Sequence, residues 1–330
     1  VTSVSGTTEF EITPGSLQLE VVRDGYEPWS SRVTLSPGGR SEADVLLSVR
    51  NAEATVPSVS LSCGAGFALV EAGTLAMGSP RAELGRDDDE TQHEVTLTRD
   101  FCIGLTEVTQ GEWQSLMGTN PSYFANCGPD CPVEMVNWYE ALAYANAASE
   151  RDGLEPCYLL NRCRREAGRD LECSTVTLAP SSNGDPYACQ GYRLPTEAEW
   201  ETAARGALPG ATYLGDLRAP LDCHSQHNLD PTAWFCANAA VEPRPVASLE
   251  PNERGVFDML GNVQEWCWDW YEVNLQESVD PAGPARGRER VRRGGSWISV
   301  SQDVRIAARA SDSPGDRTST TGFRLVRTLE

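Results

Sequence analysis

At 330 residues, 40% of them apolar and 23% charged, the chain has room for one large soluble domain and one small one. A net charge of -21 excludes nucleic acid and anionic membrane surfaces as natural partners, because their phosphates would be repelled. All 27 basic residues are arginine, so no lysine exists for Schiff-base or general-base work, and no apolar run approaches the roughly 20 residues of a membrane helix.

Residues 1–48 alternate in hydrophobicity in four short runs, Phe10 to Ile12, Leu17 to Val22, Val33 to Leu35 and Val45 to Leu47. Pro14-Gly15, Asp24-Gly25 and Pro37-Gly38-Gly39 punctuate them, which predicts a small antiparallel β unit. The wording from Ile12 to Leu47 resembles a PEGA domain, a small β module that serves as a spacer or interaction unit, here without its first strand. Residues 49–62 are small and polar and read as a linker. The main domain is expected to run from residue 63 to residue 330. The chain does not begin with methionine and has no leader, so it is expected to be a piece of a longer protein with any export signal or anchor upstream.

Three capping boxes predict three helices. In each, a short polar side chain caps the helix and a glutamate three residues on reaches back. Thr109 and Glu112 open the first, which should stop at Gly118. Asn137 and Glu140 open the second, expected to reach about Arg151 and close at Gly153, with Trp138, Tyr139, Leu142, Ala143 and Ala145 buried. Thr196 and Glu199 open the third, which follows Pro195 and should end at Gly206, burying Trp200, Ala203 and Ala204. Long loops rich in Gly, Pro, Asn and Asp separate them.

Eleven cysteines without a CxxC pair argue for disulfides in an oxidising compartment over a zinc ribbon. Cys127 and Cys131 are expected to close a tight loop, Cys223 and Cys236 a longer one, and Cys63 and Cys102 to tie the start of the main domain to a strand. Cys157, Cys163, Cys173 and Cys189 allow three pairings, of which Cys157–Cys189 with Cys163–Cys173 is favoured. Cys267 lies among tryptophans and is left as a buried free thiol.

Residues 255–271, GVFDMLGNVQEWCWDWY, hold three tryptophans, a tyrosine and a phenylalanine, with Asp258 and Glu265 flanking a Gly-Asn turn. Such aromatic density predicts a core, and the acidic pair a cation site. In order along the chain stand MGS (77–79), DDDE (87–90), EVT (107–109), NPSYF (120–124), PVEMVNWYEALAYAN (132–146), YRLPTEAEWETAAR (192–205), GNVQEWCWDWY (261–271), RRGGSW (292–297) and TTGFRLV (320–326). Together they resemble the formylglycine-generating enzyme, or sulfatase-modifying factor, family over residues 63–328. The resemblance implies an irregular α+β fold related to C-type lectins, with a bent sheet and outer helices. It also implies a structural calcium held by the side chains of Asp258 and Glu265 and the carbonyls of Gly261 and Val263.

Family enzymes oxidise a substrate cysteine with oxygen and copper(I), held by two cysteines after the GGSW-like motif. Here no cysteine follows Cys267. The first copper position falls on Ser299 and the second on Val304 or Ser301, according to the direction of counting. A neutral hydroxyl does not replace a thiolate on a soft ion. Gln264 stands where the family has tryptophan. Relatives that form carbon–sulfur bonds use an iron-binding histidine cluster, whereas His224 and His227 show no such pattern. No serine has a histidine–carboxylate setting that would suggest a hydrolase.

The expectation is therefore an extracytoplasmic, calcium-stabilised binding module without copper chemistry or catalytic residues, belonging to a larger bacterial surface or signalling protein. Its ligand would be a protein, peptide or small molecule at the rim formed by residues 298–321. Trp297, Ser299, Arg305, Arg309 and Arg317 are the candidate contacts, and Ala307 and Ala308 belong to the core. The competing readings are an oxidoreductase of the same family using an unrecognised site, and a purely structural spacer.

Overall fold

The computed structural model describes residues 63–205 and 210–329, together with the backbone strands β1 (Gly15–Val21) and β2 (Trp29–Leu35). Contacts divide the chain into two units, Val1–Ser60 and Leu61–Glu330. In the first, β1 and β2 pair antiparallel from Gly15↔Leu35 to Val21↔Trp29. The other two expected strands, the linker at 49–62 and the helix stop at Gly206 lie outside the described residues.

The second unit is α+β. It runs β3 (Phe67–Val70), β4 (Gly73–Met77), β5 (His93–Leu97), β6 (Phe101–Gly104), α1 (Gln110–Met117), α2 (Trp138–Arg151), β7 (Tyr158–Arg164), β8 (Glu172–Leu178), α3 (Glu197–Arg205), β9 (Gln264–Trp270), β10 (Ser278–Val279), β11 (Arg290–Arg293), β12 (Arg309–Asp312), β13 (Thr321–Gly322) and β14 (Val326–Thr328). The strands form small sheets, in orders β10-β5-β4, β14-β6-β3, β7-β8 and, centrally, β12-β11-β9-β13.

The three capping boxes operate as expected. Thr109 and Asn137 each accept the backbone N–H of the glutamate that caps them in return. Thr196 and Glu199 do the same at α3, with both bonds near 3 Å. Gly118 ends α1 in the left-handed region. The buried face of α2 is broader than expected: Ala141, Tyr144 and Ala148 join Trp138, Leu142 and Ala145, while Tyr139 and Ala143 are only half-buried. All five expected disulfides are present, and Cys267 is a buried free thiol. Each contributes about 2–4 kcal/mol in a loop-rich unit.

The aromatic stretch is the keel of the unit. Its second half is β9, paired antiparallel with β11 and parallel with β13. Gly261 makes the entry turn possible. Its φ is +79°, and a Cβ there would lie 2.2 Å from the carbonyl oxygen of Trp234, so no larger residue fits. Trp138 and Trp266 bury their rings and still satisfy their N–H groups: Trp138 donates to Cys267 O at 2.9 Å and Trp266 to Val136 O at 3.0 Å. The Arg290 guanidinium lies between the rings of Trp138 and Trp270, 3.7 and 3.5 Å from their centroids. No helix among the described residues is long and apolar enough to cross a membrane.

Candidate functional site

The keel carries a buried polar cluster on its entry turn. Glu265 is clamped bidentately by Arg324, at 2.6 and 2.7 Å, and accepts the indole N–H of Trp200 at 2.8 Å. Asp258 accepts Ala247 N–H at 2.7 Å. Glu107, fully buried, lies close by, and one of its oxygens has no hydrogen-bond partner. Three buried carboxylates thus face the single guanidinium of Arg324. Burial raises Asp258 to about 6. Burial, then the charge of Asp258, pushes Glu107 well above the usual carboxylate range.

These residues can be tested against the calcium that the family implies. The donors are hard oxygens, and the surplus negative charge and the orphaned Glu107 oxygen suit a hard cation. Arg324 and Trp200 occupy three of the roughly four acceptor positions of Glu265, leaving one for a cation. Among the described residues no three His, Cys, Asp or Glu side chains stand in a metal-holding group, so backbone carbonyls would have to supply part of any shell.

The loop after β11 leans on this turn. Gly261 N–H donates to Gly294 O and Trp297 N–H to Asn262 O, both at 2.8 Å. The loop needs glycine at 295, where φ is +72° and a Cβ would lie 2.7 Å from Asp303 O. Ser299, in the first copper position, is half-buried, with its hydroxyl 3.2 Å from that of Ser296. In the alternative second positions, Ser301 is buried with an unpartnered hydroxyl, and Val304 is wholly buried.

The candidate contacts are not all at the rim. Trp297 is 6% exposed and donates to Ser319 O, its ring edge-on to Phe124. Arg317 is half-buried, donating to Met135 O at 2.6 Å and lying 3.3 Å from Glu140. Arg305 and Arg309 were expected as ligand contacts, but their side chains point inward. Arg305 grips Glu90 with two bonds, at 2.6 and 2.8 Å, and Glu83 at 2.7 Å. Arg309 grips Glu197 at 2.6 and 2.8 Å. The physical reason is the cost of an unpaired buried carboxylate: Glu90 and Glu197 each take up an arginine from the segment packed beside them. His224 and His227 are both exposed.

Beside the Gly-Gly turn lies a polar cavity of about 250 Å³, lined by the keel's Gln264, the ends of β11 and β12, Asp87 of the acidic run and Asp303. The acidic run marked Asp87, and Asp303 stands in the rim segment. Their meeting across one cavity has no local signal, since 216 positions separate them.

A family model described as a sulfatase-modifying factor enzyme 1-like domain matches residues 53–329. A chaperone protein LppX of Paenibacillus barcinonensis is 34% identical over 252 residues, covering 71% of this chain and 81% of that protein. A serine/threonine-protein kinase pkn1 of Chlamydia pneumoniae is 32% identical over 272 residues, 79% of this chain but 38% of the kinase. A formylglycine-generating enzyme of Streptomyces coelicolor is 40% identical over 144 residues, 41% of this chain and 46% of the enzyme. Among solved structures, the Treponema denticola variable protein 1 superposes with a TM-score of 0.65 at 32% identity, covering 80% of this chain and 95% of that one.

Proposed function

Since the chain belongs to the sulfatase-modifying factor, or formylglycine-generating enzyme, family, we propose that it uses this fold to bind a ligand at the rim and not to oxidise a cysteine. The observation that carries the reading is the donor set after the Gly-Gly turn. Ser299, Ser301 and Val304 offer hydroxyls and methyls where copper(I) needs thiolates. Among the described residues the one free thiol, Cys267, is buried, and burial pushes it well above the usual thiol range, so it offers no thiolate. Fold alone does not choose the activity, and relatives sharing this domain are named as a chaperone, a kinase and a formylglycine-generating enzyme.

The test is a copper(I) titration with a cysteine-containing sulfatase peptide under air. The expected result is no tight copper binding and no oxygen-dependent loss of the peptide thiol. Tight binding with thiol loss would make the protein an oxidoreductase of its family working through a different site.

Calcium belongs to the same reading, as a structural ion. Asp258 and Glu265 would hold it with the carbonyl oxygens of Gly261 and Val263, and it would neutralise part of the surplus charge on the entry turn. A melting temperature that falls when calcium-loaded protein meets a strong chelator, and returns with added calcium, is the expected outcome. An unchanged melting temperature would leave the Arg324 clamp as the turn's stabiliser without a metal. The five disulfides suit an oxidising compartment. They support an extracytoplasmic place for the domain.

A further inference from the structure

The backbone of the rim is tied at two points to one disulfide. Cys236 N–H donates to Ser299 O at 3.1 Å, and Ser301 N–H donates to Asp222 O at 3.2 Å. Cys223, which follows Asp222, is bridged to Cys236. The bridge thus braces the two serines that stand in copper positions.

Thiol–disulfide exchange asks two things of a bridge: a sulfur that an incoming thiolate can reach, and a leaving sulfur that can carry negative charge. In four of the five bridges at least one cysteine is buried, namely Cys102, Cys131, Cys173, and both Cys157 and Cys189. A thiolate released into such surroundings lacks water to solvate it. Cys223–Cys236 is the one bridge among the described residues with neither cysteine buried: Cys223 is exposed and Cys236 half-buried. His224 follows Cys223 directly. Its ring Nδ1 meets the Asp222 carboxylate, which also accepts the His224 backbone N–H at 3.0 Å. A histidine beside a cysteine favours the thiolate form. The loop between the two cysteines has other supports. Gln226 donates to Arg218 O and Pro220 O at 2.8 and 2.9 Å, and Leu229 is wholly buried in the main core. Opening the bridge therefore frees the two cysteines without releasing the loop.

We propose that Cys223–Cys236 is a thiol–disulfide exchange site through which the redox state of the surroundings sets the shape of the rim. A thiolate attacks Cys223 Sγ. A new sulfur–sulfur bond forms there as the old one breaks, and Cys236 leaves with the electron pair and takes up the proton that the incoming thiol lost. A second thiol then displaces the first from Cys223 as a small disulfide, leaving both cysteines reduced. A disulfide in the surroundings drives the same steps backwards. Neither oxygen nor a metal enters the balance. Once the bridge is open, the backbone bonds of Cys236 to Ser299 and of Ser301 to Asp222 loosen. The consequence for ligand binding rests on the reading of the rim as a binding site; the exchange itself does not.

Glutathione is the probe. The full chain would be held without oxygen in glutathione buffers of increasing reducing strength, then alkylated and mapped by mass spectrometry. Cys223–Cys236 should open first, about tenfold faster than any other bridge, through an adduct on Cys223 with Cys236 free. Amide hydrogen exchange at Cys236 and Ser301 should rise about tenfold in the opened protein, while the amides of β9 stay protected. Both changes should reverse when oxidised glutathione is added. C163S/C173S, which removes the other bridge with an exposed cysteine, should leave all of this intact. Another bridge opening first, an adduct on Cys236 in place of Cys223, or rim amides that exchange no faster after opening would each overturn the proposal. Any peptide thiol consumed by this exchange is consumed without oxygen, so the copper assay under air and the glutathione titration fail separately.

Discussion

The keel and the rim are built from the same kinds of charged residue in opposite states. In the core, Arg193, Arg293, Arg305 and Arg324 are wholly buried, and each meets a buried glutamate. At the rim, Asp87 and Asp303 stand unpaired beside a cavity, and the Ser301 hydroxyl has no partner. The two regions answer their charge in different places. The core arginines are closed within the chain, so they support the fold and offer nothing to a ligand. Rim charges are left open to solvent. A chain with a charge of -21 can bury this many arginines because it has carboxylates to spare for them.

The comparison breaks most sharply at Arg324. Arg324→Met would leave Glu265 buried without its guanidinium, and the expected loss is about 3–5 kcal/mol by denaturant unfolding. A second change, Glu265→Leu, should restore part of it, since removing both partners is far less costly than removing one. A single variant that unfolds like the parent would mean that the clamp is not what holds the keel.

A pH-dependent effect is expected at Asp269. It is buried and accepts the backbone N–H of Glu197 at 2.8 Å. Burial, then the charge of Glu197, raises it from 3.8 to about 8. A carboxyl whose folded value is raised holds its proton in the native state. Its stabilising contribution is complete below about pH 3.8 and is lost as pH rises through about 8. Asp269→Asn, which stays neutral, should therefore fall less in stability than the parent between those limits. Parallel curves across that range would exclude the titration. The smallest effect belongs to the rim: D303N should shift unfolding by no more than about 0.5 kcal/mol, since it removes no internal partner. A loss near that of Arg324→Met would place Asp303 in the core network and erase the contrast.

Much of the fold was legible in sequence because its signals are local. A capping box needs only four residues, and Thr109, Asn137 and Thr196 each opened the expected helix. The aromatic density of residues 255–271 announced a core, and the oxidising chemistry implied by the cysteines was met by five bridges. The site was legible only in part. Trp297, Ser299 and Arg317 could be named as belonging to one loop system, but Arg305 and Arg309 look no different in sequence and turn inward.

The family, the helix starts, the presence of a disulfide set and the absence of thiols after Cys267 could be read from the chain alone. These follow from short-range spacing and from residue chemistry that no folding can alter. Which charges are spent depends on how distant segments pack. Arg305 meets Glu90 across 215 positions, and Arg324 meets Glu265 across 59. Asp87 and Asp303 are brought to one cavity with no side-chain hydrogen bond or ion pair among the described residues. Whether a charged group is paired or open depends on which chain segments pack together, and in a unit this rich in loops that is settled by burial and long-range contact.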